Sequence, residues 1–99
     1  MERGGYVYIL SNRSNTVVYT GATSELKTRI LKHRSGFYQG AFTKRYGCYK
    51  LVYFKGFMRI EDALDEEKRI KGLDKIKKRE LIRKSNPDWK DLFHDELDD

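Results

Sequence analysis

The chain has 99 residues, of which 36% are charged and 13% aromatic, and its formal net charge is +6. Its length fits one domain, residues 1 to 99, and leaves no room for a second independent core. A single cysteine, Cys48, excludes an internal disulfide and a cysteine-rich zinc site, and no apolar run approaches the length of a membrane span.

The first five residues lead straight into a strand-like run, without the basic and then apolar segments of a secretory signal. A cytoplasmic protein with no membrane partner is therefore expected. Residues 6–10 (YVYIL) and 17–21 (VVYTG) are β-rich runs separated by the turn-forming cluster 11–16, and they read as a hairpin. A symmetrical loop about residues 13 and 14 pairs Leu10 with Val17 and Tyr8 with Tyr19. The two tyrosines then become direct neighbours on one face.

Thr23 or Ser24 can cap a helix that runs to about Ser35 and stops at Gly36. Leu26, Ile30 and Phe37 mark its apolar stripe, with His33 inside the stripe and Arg29 at its edge, one turn away. Residues 36–49 mix glycine, aromatic and basic residues and read as a loop, and residues 51–54 read as a third strand. A second helix runs from about Ile60 to Lys71, with Ile60, Ala63, Leu64 and Ile70 inward. Glu67 lies near the centre of that stripe, where a carboxylate requires a pairing cation, hydrogen bonds or a metal. Lys71, four residues on, shares its face. A third helix over about 74–84 carries Leu73, Ile76, Leu81 and Ile82 inward. Asn86-Pro87 then reads as the cap and first position of a short terminal helix marked by Trp89, Leu92, Phe93 and Leu97. The order is β-β-α-β-α-α plus a short C-terminal helix, an α+β arrangement.

Charge is unevenly placed. Residues 88–99 carry six acids against Lys90, so residues 1–87 hold 20 basic and 9 acidic groups, a balance of +11. A body this cationic attracts polyanions, of which nucleic acid is the commonest. Lys27, Lys32, Lys44, Arg45, Lys71, Lys75 and Lys78 are the expected contacts, although surface lysines also serve solubility alone.

Tyr8, Tyr19, Arg29, His33 and Glu67 come from the hairpin and two helices, each inward or at an inward edge. Phosphodiester hydrolysis uses such groups: a carboxylate for a divalent metal, a proton acceptor for water and a cation beside the phosphoryl oxygens. A tyrosine is a poor base near its ordinary pKa of about 10 and needs a cation, a metal or a second hydroxyl beside it. Each residue also has an ordinary role: strand tyrosines pack, a core histidine is hydrogen-bonded, an edge arginine extends to water, and Glu67 pairs with Lys71.

Taken together, "YVY" at 6–8, "YTG" at 19–21, then Arg29, His33 and Glu67 in order, resemble the GIY-YIG endonuclease superfamily, in particular its small stand-alone bacterial proteins. The similarity extends over roughly residues 5–93, including "GATSELKTRILKH", "ALDEEKRIKGL" and "NPDWKDL". It implies a small sheet of three antiparallel strands flanked by helices, and metal-dependent hydrolysis of a DNA strand. By the resemblance, Tyr8 is the leading general base, Tyr19 positions or ionises it, Arg29 stabilises the phosphate, and His33 binds phosphate or relays a proton. Glu67 holds one divalent ion, Mg²⁺ or Mn²⁺. The two tyrosine roles exchange in some members. Tyr6 and Val7 replace the leading Gly-Ile of the first motif and Thr20 the middle Ile of the second. Asn86 is either the asparagine that many members place near the metal or a helix cap.

The resemblance points to DNA in branched, flapped or damaged form, in repair or recombination, with targeting supplied by this module or by a protein partner. The alternative function is a non-catalytic nucleic-acid-binding module. A third reading makes the apolar C-terminal helix a docking or dimer surface.

Overall fold

A computed structural model describes residues 4–37 and 41–94. Its elements are β1 (Gly5–Ser11), β2 (Val18–Thr23), α1 (Leu26–Arg34), α2 (Phe42–Tyr46), β3 (Lys50–Phe57), α3 (Ile60–Lys71) and α4 (Lys75–Ser85). The three strands form one antiparallel sheet in the order β2-β1-β3, so the first strand is central. The expected α+β class holds.

Alternation along β1 divides the interior in two. Val7 and Ile9 point to one face and join Val52, Tyr53, Ile70, Ile82 and Trp89 beneath α3 and α4. Tyr8 and Leu10 point to the other and join Leu26, Ile30, Cys48 and Leu51 beneath α1. Cys48 is fully buried, and burial pushes its thiol pKa up, which keeps it protonated.

The hairpin register differs from the expected one. Leu10 pairs with Tyr19, Tyr8 with Gly21 and Ser11 with Val18. The six-residue loop is displaced by one position because Asn12 winds it: the Asn12 carboxamide oxygen accepts from the amides of Thr16 (2.9 Å) and Val17 (3.1 Å). Asn15 adopts φ 61° within the turn. The pairing therefore slips by two residues, an even number, so Tyr8 and Tyr19 stay on one face but become diagonal rather than direct neighbours.

Two further elements differ. Within the expected loop, residues 42–46 form α2, closed by Gly47 in the left-handed conformation at φ 67°. The expected C-terminal helix is absent among the described residues: a turn at residues 86–89, closed by Trp89 N donating to Asn86 O (3.0 Å), leads into residues 90–94, which have no regular secondary structure, and Leu97 lies outside the described residues. Strand β3 has a register irregularity beside this segment, where Ile9 pairs with Tyr53 but Leu10 with Leu51. The side-chain amide of Asn86 donates to the Val52 carbonyl (3.0 Å), the Asn86 oxygen accepts from Lys90 N, and Leu92 N donates to Leu51 O (2.7 Å). The segment thus covers the outer edge of β3, and Trp89 turns inward at φ 52°. Asn86 is the C-cap of α4 rather than the N-cap of a terminal helix, and its side-chain amide is held by Val52 and Lys90.

Helices α1, α3 and α4 lie close to their expected spans, and the Asp74 carboxylate caps α4 by accepting from Lys77 N at 2.9 Å. Phe37, Leu64 and Ile76 were expected inward and are exposed, at 62%, 42% and 68%. No described helix is long and apolar enough to cross a membrane.

Candidate active site

Tyr8 is the buried centre of the site. Its side chain leaves the central strand toward α1, where its hydroxyl meets His33 Nε2 at 3.1 Å. His33 Nδ1 in turn meets Thr43 Oγ1 at 2.8 Å, so α2 is the element that fixes the far side of the imidazole. Tyr8 is fully buried and His33 and Thr43 nearly so. Opposite Tyr8 on β2 is Gly21, and a Cβ built there would lie 2.5 Å from the tyrosine hydroxyl and 2.6 Å from Cζ. The glycine that closes the YTG motif is therefore the space in which the Tyr8 ring lies.

Tyr19 stands beside this buried pair, its ring centroid 6.4 Å from Tyr8 and 5.5 Å from His33. It is half-buried, and with Arg29, His33, Ala41, Phe42 and Thr43 it lines a cavity of about 250 Å³. Arg29 and His33 are one helical turn apart on α1, which presents both to the same cavity. Burial, and secondarily the Arg29 charge, lower the His33 pKa from 6.5 to about 4. The ring is neutral at pH 7, so one nitrogen donates and the other accepts, and it can pass a proton between the Tyr8 and Thr43 hydroxyls.

That neutral burial has a consequence for stability. Its folded pKa is depressed, so its contribution is complete above about pH 6.5 and drains away as pH falls toward about 4, by at most about 3 kcal/mol. Urea unfolding at about pH 7 and about pH 4.5 is expected to show a larger acid loss for the wild type than for His33→Gln. Equal losses would remove His33 as the cause.

Glu67 is placed differently. Its helix α3 packs on the opposite face of the sheet, through Ala63 and Ile70. Glu67 is therefore carried by a helix that packs on the sheet face opposite α1, the helix that carries Arg29 and His33. Glu67 and Glu66 straddle the Ala63–Ile70 stripe at 18% and 17% side-chain exposure. Glu66 lies on the β3 side, where its hydrogen bond to Arg69, and secondarily the Arg69 and Lys55 charges, hold its pKa down. Glu67 thus projects toward β2, the edge strand that carries Tyr19. Glu67 Oε2 is 2.9 Å from Lys71 Nζ, and Oε1 has no protein partner among the described residues.

Among the basic residues singled out from the sequence, Lys27 and Lys32 belong to α1 and Lys44 and Arg45 to α2, the side that holds the cavity. Lys75 and Lys78 line a separate groove with Arg79 and residues 16–18, and Lys71 belongs to α3. Sequence reasoning missed Thr43 and Phe42. The run AFTKRYG carried the signal: a short aromatic and basic segment ended by glycine fits a single helical turn with its C-terminal stop.

The family model for the GIY-YIG catalytic domain matches residues 4–80. The chain belongs to the GIY-YIG family. A UPF0213 protein of Oceanobacillus iheyensis is 39% identical over 83 residues, spanning 83% of this chain and 93% of that protein. One of Clostridium perfringens is 41% identical over 78 residues, spanning 78% of this chain and 81% of that one. The solution NMR structure of a UPF0213 protein from Bacillus halodurans superposes with a TM-score of 0.57 at 32% identity, covering 89% of this chain and 92% of that one. GIY-YIG membership makes this a nuclease-type domain with DNA as the implied substrate, and it places the hairpin tyrosines, α1 and α3 of this chain within the matched residues.

Proposed function

We propose that the protein is a metal-dependent endonuclease that hydrolyses DNA phosphodiester bonds, with the cavity of Tyr19, Arg29 and His33 receiving the scissile phosphate. The observation that carries this is the convergence of a half-buried tyrosine, an arginine and a neutral histidine on one cavity at the edge strand of the sheet. Arg29 supplies the positive charge that a phosphate gains from as negative charge builds on its oxygens. Tyr19 is the tyrosine that edges the cavity, and it takes the role of accepting a hydrogen bond from water or moving its proton. Tyr8 is fully buried with its hydroxyl on His33, so it acts as a positioning residue behind Tyr19. That reverses the order in which the resemblance placed the two.

Glu67 suits a hard divalent cation. Mg²⁺ and Mn²⁺ accept a single carboxylate and complete their shell with water and substrate phosphate oxygens, whereas zinc sites use three or four protein ligands. No group of three His, Cys, Asp or Glu placed to hold a metal occurs among the described residues. When bound, the cation supplies charge neutralisation at the phosphate and a lowered pKa for water. Lys71 neutralises Glu67 in its absence and leaves Oε1 open. A strand crossing the edge at β2 meets Tyr19 on one side and Glu67 on the other.

DNA with a break or branch, in a repair or recombination setting, is the substrate this small module fits, with a protein partner adding any further targeting. The test is incubation of purified protein with nicked, flapped and branched DNA in Mg²⁺ or Mn²⁺, beside Glu67→Ala. Cleavage by the wild type, at least about 100-fold faster than by the variant, is expected. Equal rates on every substrate would leave a nucleic-acid-binding module, a reading favoured by the Glu67 to Lys71 ion pair and the basic groove of Lys75, Lys78 and Arg79.

A further inference from the structure

Helix α2 presents two large apolar rings to solvent: Phe42 is 45% and Tyr46 43% exposed. They are one helical turn apart, with centroids separated by 4.6 Å. On the inner side, Phe42 stacks on Tyr19 at 6.2 Å and 30°. On the outer side, the Arg45 guanidinium lies over the Tyr46 ring at 5.4 Å. The rings therefore form a ladder that begins at a residue of the candidate active site and ends in solvent, with Lys44 and Arg45 between them in the chain.

Packing alone accounts for Phe42 against Tyr19, and a ring pair one turn apart adds little to a helix. It does not account for the exposure of both outer rings beside cations on a body with a balance of +11. Exposed rings interleaved with basic side chains match the chemistry of unpaired nucleotides, whose bases offer flat faces and whose phosphates carry negative charge. Paired bases are stacked inside a duplex and cannot offer those faces. Phe42 also lines the cavity itself, so a base on this ladder would adjoin the phosphate held by Arg29.

We propose that Phe42 and Tyr46 are a stacking platform for unpaired nucleotides, so that the strand cut at this site is single-stranded where it passes α2. The inference rests on the nuclease reading for the location of the phosphate, but its test does not require cleavage. Fluorescence anisotropy in EDTA would compare a short single strand with the corresponding duplex, for the wild type, Tyr46→Leu and Phe42→Leu. Leucine keeps apolar bulk and removes the aromatic face. Each substitution is expected to weaken single-strand binding by roughly 5- to 100-fold and duplex binding by less than about twofold. Quenching of a fluorescent adenine analogue in the single strand is expected with the wild type and lost with Tyr46→Leu. Tyr46 is exposed, so an unchanged melting temperature for that variant guards against misfolding. Unchanged single-strand affinity in Tyr46→Leu, or an equal fall for duplex, would overturn the platform. So would a wild-type dimer that Tyr46→Leu converts to monomer, because the rings would then cover each other between copies. A protein that binds single strands through these rings without cutting them retains the platform and loses the nuclease reading, and the reverse result does the opposite.

Discussion

Replacing Arg29 with alanine is expected to slow DNA cleavage by about 10²- to 10³-fold, the scale of removing one donor to a developing oxyanion. Affinity for intact DNA should change only a few-fold, because many other cations share the ground-state attraction. Arg29 is set apart by location: it shares its cavity with Tyr19 and His33, one turn from the latter. Lysine at this position keeps the charge but loses the planar fork, so Arg29→Lys should fall between alanine and wild type. The substitution also acts on His33. Burial is the larger cause of its lowered pKa, and Arg29 the smaller, so alanine should raise that pKa part of the way toward 6.5. Single-turnover rates and a histidine NMR titration would read both effects, and a variant that cuts like wild type would remove Arg29 from the chemistry.

The largest stability effect is expected at Gly21. Alanine there puts a methyl group 2.5 Å from the Tyr8 hydroxyl and 2.6 Å from Cζ. Either distance is far inside van der Waals contact. The ring cannot simply swing away, because Tyr8 is fully buried among Leu10, Leu26 and Ile30 and its hydroxyl is bound to His33. Overpacking of this kind costs about 1–3 kcal/mol, and a strained Tyr8–His33 hydrogen bond adds about 1 kcal/mol. In a domain of this length a loss of about 2 kcal/mol lowers the melting temperature by roughly 8–16 °C. Gly21→Ala should also slow cleavage beyond what unfolding explains, since the displaced ring is the support of His33 and Tyr19. Calorimetry decides this. A melting temperature within about 2 °C of wild type would mean that the strands part to admit the methyl group.

Much of this arrangement was legible in the sequence, for identifiable reasons. Glu67 stood out because helical periodicity put a carboxylate near an apolar stripe, and the structure keeps it there, mostly covered and paired with Lys71. The two tyrosines were legible as face neighbours because the slip in register was even. Its size was not legible, since two placements of a six-residue loop give equally good apolar patterns and the choice falls to the Asn12 side chain.

Long-range effects were the least readable. Trp89, Leu92 and Phe93 carry helical spacing, yet residues 86–92 run along β3 because Asn86 and Leu92 find the carbonyls of Val52 and Leu51. Nothing local in 86–92 announces those acceptors. The packing of α3 on the sheet face opposite α1 was hidden in the same way, because the side on which a helix packs depends on the whole chain connection. Thr43 escaped notice because its role depends on a hydrogen bond to a residue ten positions away.

The most direct test is the single-turnover cleavage rate of Tyr19→Phe on flapped DNA with Mg²⁺, measured beside the wild type and Tyr8→Phe. Removing the hydroxyl that edges the cavity should reduce the rate at least about 100-fold with DNA affinity unchanged, the scale of a lost general base, and Tyr8→Phe should retain more activity than Tyr19→Phe. Cleavage by Tyr19→Phe at the wild-type rate would contradict a reaction centred on this cavity.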